Sequence, residues 1–402
     1  MKVLIADKFP EEHVDELKRL GCTVHYNQNL KGSALLEEMK RTKPEIIIVR
    51  STEVSGEMIS SNPKLNLIIR AGAGFNTIDV KTASERSVYV ANCPGKNSIA
   101  VAELAFGLIL VLDRRIPENV MELRGGKWNK KEFSKAEGLY GKTLGIIGVG
   151  RIGRELIPRA KAFGMKVIAW SRSLTPQKAE ELDIGYCAKP LEVASQADIV
   201  SVHLALTPET KNFIGWDFFK NMKKGAFFIN TARAEVVDEE ALLRAMNEKG
   251  IKAGVDVFAG EPAEKEGTFE HPLSRHTNLY GTHHIGASTE QAQRAVADEA
   301  VRIVKEYIST GHVPNCVNRM EHPPARSMIS VHHKNRVGVL AGVLDVIRDL
   351  GINVETMENV IFEGAEGACA RIQIDGVLPE KELEKIRLSN ENILAVSQAE
   401  LR

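Results

Sequence analysis

The segment Gly141 to Ala162, GKTLGIIGVGRIGRELIPRAKA, constrains this chain more than any other. An apolar run from Thr143 to Ile147 reads as a buried parallel strand. It breaks into Gly148-Val149-Gly150-Arg151-Ile152-Gly153, and helical periodicity follows. Strand, glycine turn and helix in that order cradle a dinucleotide pyrophosphate. Gly148 makes the tight turn, Gly150 lets the pyrophosphate approach the backbone, and Gly153 lets helix and strand pack closely. The helix start, with Arg151 and Ile152, supplies N–H donors and a positive dipole end.

The next strand, Lys166 to Ser171, would end in an acid if it gripped the ribose hydroxyls of NAD. Its tip reads Trp170-Ser171-Arg172-Ser173 instead. A guanidinium flanked by two hydroxyls suits a 2′-phosphate, because it binds phosphate in a fork. NADP is therefore favoured over NAD, the alternative being an Arg172 that stacks on adenine or lies in solvent.

At 402 residues the chain exceeds one ordinary core, so two or three domains are expected. The 53 basic residues balance 53 acidic ones with no basic stripe, which argues against a nucleic-acid partner. The start, MKVLIADKFPEE, reads as strand and helix, since Asp7 and Glu11 interrupt a signal-peptide pattern. No apolar run approaches membrane-spanning length. Five scattered cysteines, at 22, 93, 187, 316 and 369, fit reduced thiols and a cytoplasmic protein.

From Lys2 to Ala91 the runs KVLIA, CTVHY, EIIIV, LNLIIR and SVYVA alternate with amphipathic stretches such as Glu11–Leu20 and Ala34–Arg41. That alternation means a doubly wound parallel sheet, here without a glycine fingerprint after its first strand. Long helices are expected at Ile99–Leu112 and Glu290–Ser309, spanning between this lobe and a second one whose strands include IVSVHLAL, AFFIN, KAGVDVF and NLYGT. Two lobes so joined make a cleft with a hinge. Gly311 to Arg326 is a linker, and beyond it the pattern becomes strand, helix, two strands, helix, strand. The fold class is thus α/β, with two doubly wound parallel-sheet (Rossmann/flavodoxin-like) domains and a C-terminal ferredoxin-like βαββαβ module. The boundaries are 1–96 with 287–318, then 97–286, then 325–402.

Three segments of the second lobe carry chemistry, each just past a strand end: Arg233 in FINTARAEVVD, Glu261 in GVDVFAGEP and His284 in GTHHIGAST. A guanidinium there can clamp a carboxylate with two parallel hydrogen bonds. A His held by a carboxylate is oriented and can exchange a proton with an alcohol. With a nicotinamide, these groups define hydride transfer at C2 of a 2-hydroxy acid. Metals are set aside: His283-His284 and His332-His333 are adjacent pairs, and neighbours in an extended segment point to opposite faces.

NSIAVAELAFGLIL, GKTLGIIGVGRIG, HLALTPETKNFIG, NTARAEVVDEEAL, GVDVFAGEP and THHIGAST together resemble the D-isomer-specific 2-hydroxyacid dehydrogenases over nearly the whole of residues 1–320. The resemblance implies that Arg233, Glu261 and His284 are the catalytic Arg, Glu and His. It places the loop Arg70 to Gly74, with Ala73, on the substrate carboxylate, and Asn97 beside it. It sets Asp256 near the nicotinamide, with Thr207, Pro208, Thr231, Ala232 and Gly286 contacting the cofactor. Lobe closure and pairing as a homodimer are implied as well. IIIVRSTEVS with LIIRAGAGFNTIDV looks most like the phosphoglycerate dehydrogenase branch, in which Arg50 and Arg70 would meet a phosphate, with Ser51 among the substrate-binding residues. The tail resembles an ACT domain, which puts His333, Asn335 and Asn353 on positions that bind an L-serine effector and implies a homotetramer built from dimers. The family usually has Gly after the catalytic Arg, whereas this chain has Ala234-Glu235, and Glu235 near Arg233 would discourage a highly anionic substrate.

Three functions compete. Oxidation of 3-phosphoglycerate in L-serine biosynthesis leads. NADPH-dependent glyoxylate or hydroxypyruvate reduction is favoured by Ser171-Arg172 but disfavoured by the tail. A nicotinamide-sensing corepressor-like protein shares the fold.

Overall fold

In the computed structural model, which describes residues 1–262, 266–321 and 323–401, five short apolar strands open the chain. They are β1 (Lys2–Ile5), β2 (Thr23–Tyr26), β3 (Ile46–Val49), β4 (Leu67–Arg70) and β5 (Tyr89–Asn92). Helices α1 (Glu11–Arg19), α2 (Gly32–Thr42), α3 (Gly56–Ser61) and α4 (Val80–Glu85) connect them. The sheet order is β2-β1-β3-β4-β5, parallel throughout, with Leu4 opposite Ile47 and Ile47 opposite Ile68. Every residue of β3 is buried, as expected of a parallel strand covered on both faces.

Helix α5 (Ser98–Arg114) carries the chain into a second lobe, followed by α6 (Ile116–Arg124) and α7 (Lys130–Phe133). There β6 (Thr143–Ile147), α8 (Arg151–Ala162), β7 (Lys166–Trp170), α9 (Pro176–Glu181), β8 (Gly185–Tyr186), α10 (Pro190–Gln196) and β9 (Ile199–Val202) form one half. The other half is α11 (Trp216–Asn221), β10 (Phe227–Asn230), α12 (Glu239–Lys249), β11 (Lys252–Val255) and β12 (Leu279–Gly281). The order is β12-β11-β10-β9-β6-β7-β8, again parallel, so strand order reverses beside β6. Helix α5 lies against this sheet: a side chain on Gly254 of β11 would stand 3.0 Å from Leu108. Helix α13 (Glu290–Thr310) returns and buries Val296, Ala300, Ile303 and Val304 in one core with Val3, Ile5, Ile46 and Ile69 of the first sheet. Each such aliphatic side chain contributes about 1.5–3 kcal/mol by leaving water. Residues 315–317 then run beside β5.

Met1–Asn318 forms one compact unit and Arg319–Arg402 another. In the second unit, β13 (Ser327–Lys334), α14 (Val339–Asp349), β14 (Val354–Ile361), β15 (Gly367–Ile374), α15 (Glu380–Leu388) and β16 (Ile393–Glu400) give an antiparallel sheet ordered β14-β15-β13-β16. Alternate residues of β13 (Ser327, Ile329, Val331, His333) turn inward, the apolar ones packing on Val343 and Ile347 of α14. Helices α6 and α7 and the two-residue β8 were not expected from the sequence. Neither helix buries a residue: the apolar side chains of α6, Ile116, Val120 and Leu123, remain exposed, and α7 is a single turn.

Candidate active site

The three glycines after β6 each have a distinct structural reason. Gly148 has φ +99°, and a Cβ there would lie 2.7 Å from the His203 carbonyl oxygen, so no side chain fits. A Cβ on Gly153 would lie 2.5 Å from the Gly148 carbonyl oxygen, which is what holds α8 close to the turn. Gly150, the N-cap of α8, faces open space, so its backbone is approachable. Ser171 and Arg172 follow β7, Thr207 and Pro208 follow β9, and Thr231 and Ala232 follow β10. All therefore share the C-terminal edge at the point where strand order reverses. The buried Thr231 hydroxyl has no hydrogen-bond partner among the described residues, a free polar group in the same crevice. Open glycine backbone, helix start and an orphan hydroxyl fit a dinucleotide. Glu209 titrates below its usual range, through the Thr207 hydroxyl first and its own backbone, with a smaller contribution from the Arg172 charge. The Arg151 side chain reaches the Pro94 carbonyl, lying over Gly95, and its backbone N–H at the start of α8 is the part expected to meet a phosphate.

His284 follows β12 with φ +52°, so its segment is not extended and the opposite-face argument for His283-His284 does not hold. Its Nδ1 lies 2.7 Å from Glu261 Oε2, while Glu261 Oε1 accepts the Phe258 N–H at 2.8 Å. Burial pushes the Glu261 carboxyl up, but hydrogen bonds from His284 and Phe258 and the charges of His284 and Arg233 outweigh it, leaving it below the ordinary value. With Nδ1–H donated to the carboxylate, Nε2 remains for a substrate. Asp256, almost fully buried, accepts the Thr282 hydroxyl at 2.6 Å and the Ile285 and Gly286 N–H groups at 2.8 Å. It thereby fixes the loop that presents His284.

Arg50, Ser51, Arg70, Gly72, Asn97 and His284 line one cavity of about 440 Å³. Arg70 folds over Gly72, where a Cβ would overlap its guanidinium, and Arg233 Nη2 would lie 2.4 Å from a Cβ on Gly74. The loop is pinned from β5 by Asn92 Nδ2 to the Ala73 carbonyl at 2.6 Å and Cys93 N–H to Gly72 at 2.9 Å. Burial, then the charges of Arg233 and Arg50, push Arg70 down to about 10. Three guanidinium groups thus share one region. Asn97 Oδ1 is buried without a partner among the described residues.

Two residues escaped the sequence reading. Asp7 accepts the N–H groups of Arg50 (2.6 Å), Ser51 (3.0 Å) and Thr52 (2.9 Å) and the Ser51 hydroxyl (3.1 Å). Asn230 accepts Ala232 N–H and donates to the Arg233 carbonyl, each at 3.0 Å, setting the turn that carries Arg233. The only signal for either was a polar residue at the tip of an apolar strand. Glu235 is exposed, makes no ion pair with Arg233 among the described residues, and offers only its backbone carbonyl to Asn212.

The suggested effector residues are not brought together within one chain. His333 is buried, with Nδ1 2.8 Å from the Lys334 carbonyl and Nε2 3.2 Å from Asn359. Asn335 donates to the Ala365 carbonyl at 3.2 Å. Asn353 bonds Glu355 at 2.9 Å, and its N–H meets Asp375. His333 pairs with Ala368, so Asn353 lies near the other end of β15, about 20 Å away at 3.4 Å per residue. The sequence pattern named the residues but not the sheet order that separates them. Among the described residues, no helix is long and apolar enough to cross a membrane, and no three His, Cys, Asp or Glu side chains cluster as metal ligands.

Residues 106–286 match the family described as D-isomer specific 2-hydroxyacid dehydrogenase, NAD binding domain. The chain is 34% identical over 391 residues to a D-3-phosphoglycerate dehydrogenase of Methanocaldococcus jannaschii, covering 96% of this chain and 70% of that one. It is 35% identical over 326 residues to a glyoxylate reductase of Thermococcus litoralis, covering 79% and 97%. It spans 58% of the length of a D-3-phosphoglycerate dehydrogenase of Archaeoglobus fulgidus, at 37% identity. Among solved structures, an NAD+-bound 3-phosphoglycerate dehydrogenase of Entamoeba histolytica superposes with TM-score 0.66 at 29% identity, over 80% of this chain and 99% of that one. This chain belongs to the D-isomer-specific 2-hydroxyacid dehydrogenase family. It is an oxidoreductase with a nicotinamide dinucleotide as cofactor.

Proposed function

We propose that the chain interconverts a small anionic 2-hydroxy acid and its 2-oxo acid, with 3-phosphoglycerate the leading substrate and L-serine biosynthesis the pathway it feeds. The supporting observation is that Arg50 and Arg70 line the cavity that His284 also lines, with Arg233 beside Gly74 of the same loop: together they offer more positive charge than one carboxylate needs. Arg233 and the Arg70–Gly74 loop hold the carboxylate beside C2, and Arg50 with Ser51 takes the phosphate. His284 Nε2 removes the hydroxyl proton in oxidation and returns it in reduction, while Glu261 holds the resulting imidazolium. When bound, the nicotinamide accepts or returns the C2 hydride. Gly148, Gly150, Gly153, the backbone of Arg151 and Ile152, Thr231 and the Thr207–Pro208 turn would hold the dinucleotide.

Glyoxylate or hydroxypyruvate reduction with NADPH is the second reading, supported by Arg172 at the β7 tip. Following NAD(P)H fluorescence with 3-phosphohydroxypyruvate, hydroxypyruvate, glyoxylate and 2-oxoglutarate against both cofactors decides between them. The expected outcome is the highest kcat/KM for the phosphorylated substrate; higher values for glyoxylate with NADPH overturn it. Turnover that vanishes in His284→Ala rules out a purely sensory, corepressor-like role. A homodimer is supported by the exposed Met121 (70%), Trp128 (82%) and Tyr140 (88%) around α6 and α7. An L-serine site made from His333, Asn335 and Asn353 would require two copies of the C-terminal unit, consistent with a tetramer. Five free thiols suit the cytoplasm.

A further inference from the structure

We infer that Lys8 is a specificity-determining residue that joins Arg50 and Ser51 in receiving the distal anionic group of the substrate; the inference rests on the 2-hydroxy-acid reading above. Strands β1, β3 and β4 are neighbours in the first sheet, and each delivers one cation at its C-terminal end. Arg70 closes β4, Arg50 directly follows β3, and Lys8 lies three residues beyond Ile5 of β1. All three line the same cavity as His284. Strands about 4.8 Å apart spread this row over about 10 Å. The Arg70 end is the reacting end, because Arg233 Nη2 would lie 2.4 Å from a Cβ on Gly74, in the loop that continues from Arg70. Lys8 therefore marks the far end.

The backbone on both sides of Lys8 is fixed. Asp7 is buried and tied to the N–H groups of residues 50–52. Phe9 is buried, and its N–H and carbonyl both meet the Tyr26 hydroxyl, at 3.2 and 3.3 Å. The Lys8 side chain, by contrast, is exposed. The nearby acids are already engaged, Glu12 with Arg294 and Asp298 with His13, and among the described residues none pairs with Lys8. An ammonium on a four-carbon stem is a mobile point charge that can meet an oxyanion without a fixed fork geometry. The row thus suits a 2-hydroxy acid whose second anion lies about 5–10 Å from the first. Such a group is a phosphate ester or a terminal carboxylate.

Steady-state kinetics of wild type, Lys8→Met and Lys8→Arg test this with 3-phosphohydroxypyruvate, 2-oxoglutarate and glyoxylate. Lys8→Met should raise KM for the distal-phosphate substrate about tenfold with kcat within about twofold, as loss of one charge-assisted contact predicts. Glyoxylate, which has no distal anion, should be unaffected, and Lys8→Arg should restore most of the loss. A KM rise confined to 2-oxoglutarate would support the inference with a terminal carboxylate as the group received. An equal loss for glyoxylate, or an unchanged ratio between phosphorylated and unphosphorylated substrates, overturns it. The two levels separate cleanly. If wild type does not prefer substrates with a distal anion, the phosphoglycerate reading fails. If wild type prefers them and Lys8→Met keeps that preference, only the role of Lys8 fails.

Discussion

The two lobes of Met1–Asn318 share a parallel, doubly wound architecture, yet their first strands end in opposite ways. In the second lobe β6 runs into Gly148, Gly150 and the start of α8, leaving backbone N–H groups open to a phosphate. In the first lobe β1 runs into Asp7, whose carboxylate occupies three backbone N–H groups of the β3 loop. The positive groups that line the cavity there are side chains, Arg50 and Arg70 among them. Backbone donors suit a cofactor common to many enzymes, whereas side chains can be exchanged to suit one substrate. Topology thus locates both crevices, and the residues at the strand tips decide what each can hold.

The largest expected effect lies where the lobes meet. His284→Ala should lower kcat by about a thousandfold, within the range for a general acid–base. Its side chain is 48% exposed, so the thermal midpoint should barely change. A loss below tenfold, measured with the best of the four oxo acids, would remove His284 from proton transfer and leave the two crevices without a reacting centre between them.

The glycine contrast comes next. Gly148→Ala forces a Cβ to 2.7 Å from backbone at φ +99° and should destabilise the second lobe by about 3 kcal/mol, read by denaturant unfolding. Gly150→Ala meets nothing within 4 Å, so stability should hold while nicotinamide affinity falls about tenfold. Equal stability of the two variants would mean that the turn is not the rigid cradle described.

Why these glycines were legible in sequence, and much else was not, is a matter of range. The fingerprint works within about twelve residues, so spacing alone reveals its turn, its approach point and its packing point. The strands were legible because parallel strands buried on both faces read as unbroken apolar runs. The catalytic set depends on strands 50 residues apart ending at one edge, as Arg233 and His284 do. Their shared position just past strand ends named them together, and family resemblance assigned their roles. Asp7 and Asn230 were invisible because their partners lie in other loops or in backbone groups that sequence does not single out. The Arg151 side chain crosses to the Pro94 carbonyl, a long-range contact that the spacing of the motif does not encode. Of the residues grouped as an effector site, Asn353 lies at the opposite end of β15 from His333 and Asn335, a separation along the strands that the motif did not encode.

A smaller effect concerns how the first lobe recovers its last helix. Glu299 of α13, 5% exposed, accepts from Arg302 (2.6 Å) and Asn315 (2.7 Å) and pairs with Lys96 (3.2 Å), which sits where the chain crosses into α5. The Arg302 hydrogen bond, aided by Asn315 and Lys96 and opposed by burial, holds its carboxyl at about 2 against an ordinary 4.5. A depressed folded value means the contribution is fully present above pH 4.5 and is lost as pH falls towards 2. With partners that are half exposed, Glu299→Gln should cost about 2 kcal/mol at neutral pH. Thermal midpoints of variant and wild type should converge as the solution is acidified through that window. A gap that persists undiminished at the acid end would assign the loss to packing instead of charge.

The smallest expected effect asks whether the second lobe also uses a guanidinium at its periphery. Arg172 is exposed just past β7, opposite the Thr207–Glu209 turn whose carboxylate responds to its charge. If it grips a 2′-phosphate, Arg172→Ala should raise KM for NADPH about fivefold and leave NADH unchanged, since one solvent-exposed charged contact contributes about 1 kcal/mol. The ratio of the two KM values is the quantity to measure, because folding defects move both together. An unchanged ratio would confine guanidinium recognition to the first lobe and make backbone donors the sole phosphate ligands of the second. A selective loss would show both crevices built alike at their rims, with the difference between them residing in Asp7 and Gly148 at their centres.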